Sequence, residues 1–141
     1  MQRPAAERKE RTDVNFEPLL TAPPAILFHL AAATTALVIL PIQILSSKGT
    51  VGHVWRGRAW VAAMVLTAAG SFWIRGTDGS LSWIHGLSAY TLVSLFFGLV
   101  AIRRGNLSSH RGWMTGAGIG LVIAFAFTFL PSRILGQLLG G

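Results

Sequence analysis

At 141 residues the chain has room for one domain, and 52% apolar against 12% charged residues puts it outside the range of ordinary soluble domains. Its mean hydropathy of +0.55 comes in long apolar blocks and not in alternating or amphipathic patterns, so the expected solvent is lipid. The absence of cysteine excludes disulfides, thiolate metal sites, iron–sulfur clusters and thiol nucleophiles, and the net charge of +7 reads as membrane topology, not nucleic-acid binding.

Residues 1 to 23 set Arg3, Arg8, Lys9 and Arg11 against Glu7, Glu10, Asp13 and Glu17. This neutral, polar, aperiodic stretch reads as a disordered or partner-docking tail. Four apolar blocks follow, at about 25 to 45, 54 to 74, 81 to 102 and 113 to 135. Each is close to the ~20 residues that cross ~30 Å of hydrocarbon. Pro23 and Pro24 start the first, where a missing N–H costs little, and Pro41 is expected to kink it. The first block is longer than a signal-peptide core and lacks a small-residue cleavage site, so it is expected to stay in the mature chain. The predicted fold is an all-α integral membrane domain over 24 to 141, a four-helix up-down-up-down bundle.

The second block is short unless the charged stretch GHVWRGR, residues 52 to 58, forms the first, interfacial turns of its helix. Lys48, Arg56 and Arg58 precede or open this block, and Arg103, Arg104 and Arg111 surround the third connection, with no acidic residue in either region. The opposite face holds Arg75, Asp78, Arg133 and the tail, and Lys plus Arg number six on each face. The basic residues of the first and third connections sit at helix ends, which places those loops in the cytoplasm and both termini in the periplasm. Trp55, Trp60 and Trp113 on one face, with Trp73 and Trp83 on the other, fall at predicted span ends as an aromatic belt.

The two hairpins resemble each other. His29 lies 56 positions before His85, Lys48-Gly49 lies 56 before Arg104-Gly105, His53 lies 57 before His110, and Arg75 lies 58 before Arg133. A nearly constant offset points to a duplicated helix–loop–helix unit. All four histidines of the chain are related by it, giving two expected pairs, His29/His85 and His53/His110. Paired imidazoles on transmembrane helices suit the axial positions of a haem b, with Arg56, Arg58 and Arg111 at the depth of its propionates. The competing reading makes the histidines polar locks between helices one and three and between two and four, and makes the arginines contacts for lipid headgroups. A third reading places quinone or lipid binding at the basic loops, dependent on His53, Arg58 and His110.

No Asp or Glu lies within a span, which argues against proton relays and cation-coupled transport. No Ser-His-Asp set is placeable, and no carboxylate completes a two-histidine metal site, so no catalytic residue and no metal beyond a haem iron is expected. Thr34, Thr35, Gln43, Ser71 and Ser94 are the other polar groups in the spans.

In order, His29, then His53, Gly57 and Arg58, then the W-I-H-G setting of His85, then His110, Arg111, Trp113 and Met114 resemble a bacterial family of four-helix membrane proteins catalogued as a domain of unknown function. The likeness covers about residues 25 to 135 and implies architecture without an activity. The layout is also similar, in geometry only, to dihaem cytochromes b. These readings converge on a non-enzymatic small subunit or accessory of a larger energy-transducing complex, respiratory or photosynthetic. Its place is a bacterial inner membrane, with lipids and other membrane proteins as partners.

Overall fold

The computed structural model describes residues 17 to 74 and 83 to 128. The expectations resting on Arg3, Arg8, Lys9, Arg11, Arg75, Asp78 and Arg133 lie outside these residues. Five helices account for the described chain: α1 (Glu17–Leu20), α2 (Pro24–Leu45), α3 (Val51–Ser71), α4 (Trp83–Arg103) and α5 (Leu107–Phe127), and no strand is present among the described residues. Of the described residues, 23 to 124 form one compact unit, and 17 to 22 with 125 to 128 belong to a second. In the second unit α1 closes on Thr21, whose amide and hydroxyl both donate to the Glu17 carbonyl. Its other described part, from Phe125, ends with Thr128 donating to the Phe125 carbonyl.

In the larger unit, α2 begins as expected with Pro23 as N-cap and Pro24 at the first helical position. It runs on through Pro41 to Leu45, although Pro41 has no N–H for the Leu37 carbonyl. Its exposed last turn is closed by Lys48, whose ammonium is hydrogen-bonded to the carbonyls of Gln43, Ile44 and Ser46, a cation where the helix dipole is negative.

The α2–α3 and α4–α5 turns are built alike. Gly49 (φ 78°) and Gly105 (φ 73°) are the left-handed residues of the described chain, each one position before a helix cap. Thr50 Oγ1 then accepts from the His53 amide at 3.1 Å, and Asn106 Oδ1 from the Ser109 amide at 2.9 Å. Lys48-Gly49-Thr50 and Arg104-Gly105-Asn106 are thus one device at an offset of 56. The caps also start both following helices earlier than hydropathy suggests: α3 begins at Val51 and not 54, and α5 at Leu107 and not 113. His53, Arg56, Arg58, His110 and Arg111 are all helical.

His29 meets Thr67 while Gln43 meets His53 across α2 and α3. Ser71 meets Ser88 across α3 and α4. His110 meets Gly98 while Gly120 lies against Leu87 across α4 and α5. One cluster joins all four long helices, with Ala36 from α2, Trp60, Ala63 and Met64 from α3, Leu95 from α4, and Ala117 and Leu121 from α5.

Small residues dominate the interior and large ones the surface. Ala36, Ser94 and Ala117 are fully buried, whereas Phe28, Val38, Phe96 and Ile119 are each more than half exposed. Glycines permit the close approach: a Cβ on Gly116 would stand 2.7 Å from the Tyr90 hydroxyl, and one on Gly118 would stand 3.2 Å from Leu40. Trp60 departs from the expected belt. Its indole fills the centre of the core at 3% exposure, while Trp55, Trp73 and Trp83 are exposed and Trp113 stacks on Phe97 at 5.3 Å. Among the described helices, α2 and α4 are long and apolar enough to cross a membrane. The charged first turns of α3 and α5 dilute the hydropathy of those two helices.

Candidate functional site: the histidine contacts and the basic end

Each histidine reaches out of its own helix. His29 on α2 donates through Nδ1 to the Thr67 carbonyl of α3 at 2.9 Å, since a carbonyl only accepts. The Thr67 hydroxyl itself donates to the Ala63 carbonyl at 2.8 Å. His85, buried on α4, donates through Nε2 to the Ile74 carbonyl just beyond α3 at 3.2 Å, and its ring lies 5.7 Å from that of Phe72. Ser71 and Ser88 join the same two helices through a 2.7 Å hydroxyl pair. At the other end, His110 on α5 donates through Nδ1 to the Gly98 carbonyl of α4 at 2.8 Å. The close seat comes from Gly98 itself, where a Cβ would collide with Met114 and press Trp113 at 3.3 Å.

His53 is held differently. The Gln43 amide nitrogen donates to the His53 carbonyl at 3.0 Å and faces His53 Nε2 at 3.4 Å. Gly57 makes room for it, because a Cβ there would stand 3.0 Å from Gln43 Nε2. With a donor against Nε2, the neutral ring carries its proton on Nδ1. Burial, followed by the charges of Lys48, Arg56 and His110, holds the His53 imidazole below its ordinary pKa.

The expected locks joined helices one and three and helices two and four. The structure instead ties chain neighbours: α2 to α3 through His29 and Gln43–His53, α3 to α4 through His85, and α4 to α5 through His110. His29 and His85 bond to separate carbonyls, that of Thr67 near the end of α3 and that of Ile74 just beyond it.

The arginines are spread over this basic end. Arg58 lies over the Trp55 ring at 5.0 Å on the exposed side of α3. Arg56 folds back along its own helix onto Gly52, where a Cβ would meet Nη1 at 3.0 Å, and its buried Nε has no partner. Arg111 is exposed on α5. A cleft of about 280 Å³ between α4 and α5 is lined by Phe97, Val100, Ala101, Arg104, Asn106, Ser109 and Trp113, and contains none of the histidines. No group of three metal-ligating side chains occurs among the described residues. Sequence reasoning had placed Gln43 among incidental polar residues. Its ten-residue separation from His53, spanning a short antiparallel turn, is the signal that links them.

No known protein family, curated protein or solved structure matches the chain.

Proposed function

We propose that the chain is an integral membrane protein, a four-helix up-down-up-down bundle, that serves as a structural subunit or accessory in a larger membrane assembly. Its histidines tie each helix to the next. The observation that carries this reading is that three histidine rings donate to backbone carbonyls outside their own helices, while the fourth, His53, faces the Gln43 amide of α2. Support for a lipid setting comes from the inverted packing, because large apolar side chains exposed over several helices suit hydrocarbon and not water. The Lys48–Thr50 and Arg104–Asn106 turns then lie together at one membrane surface.

The bis-histidine haem reading has less support. In each expected pair one Nε2 is already engaged, that of His85 by Ile74 and that of His53 by the Gln43 amide, and both contacts would have to open for ligation through that atom.

The test is the thermal midpoint of detergent-purified protein carrying His29→Leu, His85→Leu or His110→Leu. Each is expected to lower stability by about 1 kcal/mol, the scale of an interhelical hydrogen bond in lipid, with no b-type α band in the reduced-minus-oxidised spectrum of wild type from haem-replete cells. A sharp α band that disappears in His85→Leu would overturn the reading in favour of haem ligation.

A further inference from the structure

Three buried polar atoms without partners come together where α2 ends and α3 begins: Gln43 Oε1, His53 Nδ1 and Arg56 Nε. Their chemistry is specific. The Gln43 amide is oriented by its nitrogen, which donates to the His53 carbonyl, so Oε1 is an acceptor awaiting a donor. His53 Nε2 faces that same amide nitrogen, so Nδ1 carries the hydrogen and is a donor awaiting an acceptor. Arg56 Nε–H is a second such donor. The three belong to neighbouring groups: Gln43 and His53 are in contact, and Arg56 lies one helical turn beyond His53 and acts on its charge. Two donors and one acceptor thus stand unmatched in one small region.

The region is also positive without compensation. The charges that act on His53 are Lys48, Arg56 and His110, all basic. No acidic residue occurs between Glu17 and Asp78 or from Asp78 to the end of the chain. Two glycines open the space: Gly52 accommodates the Arg56 guanidinium and Gly57 the Gln43 amide. GHVWRG is therefore a small polar bay, with glycines at its edges and His53 and Arg56 as its donors.

We infer that this bay binds the headgroup of an anionic phospholipid whose phosphodiester is followed by a free hydroxyl, as in phosphatidylglycerol. The phosphate takes the His53 Nδ1–H and Arg56 Nε–H donors, and the headgroup hydroxyl donates to Gln43 Oε1. A choline headgroup has no donor for Gln43 and brings no net negative charge. Free phosphate offers the same oxygens but has no acyl chains to run along the exposed apolar faces of Val54 and Ile42. The inference goes beyond the structural role and rests only on the chain being in a membrane.

Native mass spectrometry of the full chain, released from detergent with equal phosphatidylglycerol and phosphatidylcholine or with inorganic phosphate, tests it. Phosphatidylglycerol is expected to be retained roughly tenfold or more over phosphatidylcholine. Arg56→Gln, and Arg56→Lys, which keeps the charge but loses the Nε donor, should remove most of that preference. Gln43→Leu should reduce it. Equal retention of both lipids, an unchanged preference in Arg56→Gln, or retention of inorganic phosphate at the level of phosphatidylglycerol would each overturn the inference. Failure of the histidine locks would show instead as unchanged thermal midpoints in the leucine variants, so the two outcomes are distinguishable.

Discussion

A histidine ring that accepts a hydrogen bond does so only while neutral, so the environment that sets its protonation belongs to the contact. His53 shows this at the rim of the bundle, where burial first and then Lys48, Arg56 and His110 keep its imidazole below the usual value of 6.5. The unfolded chain then takes up this proton before the folded one does. The His53 contribution is therefore intact above about pH 6.5 and is lost as pH falls from there towards the lower folded value. Thermal midpoints of wild type between about pH 8 and pH 5 are expected to fall on acidification, and His53→Gln should show a shallower fall. An identical slope in the variant would mean that the ring is not held in its neutral form. The four histidines were legible in the sequence through their matched offsets, but three of their partners were not. Those partners are the carbonyls of Thr67, Ile74 and Gly98, and a backbone acceptor leaves no mark in residue identity.

The helices show what repeats and caps can specify when hydropathy cannot. The start of α5 was expected at Trp113 because His110 and Arg111 read as loop, yet Asn106 caps a helix that begins at Leu107. Charged residues at a membrane surface fit the first turns of a helix as readily as a loop. The glycine at each turn was visible as a paired Lys/Arg-Gly, and its left-handed backbone gives it a measurable cost. Gly49→Ala and Gly105→Ala meet no neighbouring atom within 4 Å, so any loss is backbone strain, expected at about 1 to 2 kcal/mol each by thermal unfolding. Gly112→Ala, helical and equally open, should be neutral or stabilising by up to about 1 kcal/mol. Equal effects at all three would remove the distinction between turn and helix glycines. Trp60 was misplaced for a related reason. Position along the chain gave its depth near a span end, but not the direction of its side chain, which turns inward onto Ala36, Met64 and Ala117.

For the molecule as a whole, composition points to lipid, and the packing suits the proposed lipid setting. The alanine, glycine, serine and threonine interior lets helix backbones approach, and the displaced bulk of Phe28, Val38, Val93, Phe96 and Val122 covers the outside. In water such a surface would drive association; in hydrocarbon it costs nothing and leaves helix packing and interhelical hydrogen bonds to hold the bundle. The function is less legible, because the proposed role in packing would leave no residue pattern of its own in the sequence. Since the chain has no cysteine, single cysteines report cleanly. The decisive measurement is labelling of Ser47→Cys, Ser108→Cys, Val93→Cys and Val122→Cys in intact membranes with a charged, membrane-impermeant maleimide. Ser47→Cys, on the α2–α3 turn, and Ser108→Cys, in the first turn of α5, should react from the same side of the membrane. Val93→Cys and Val122→Cys, half exposed on the protein yet facing hydrocarbon, should react only after detergent is added. Prompt labelling of those two positions in intact membranes, or reaction of the two turns from opposite sides, would contradict a four-helix bundle embedded in lipid.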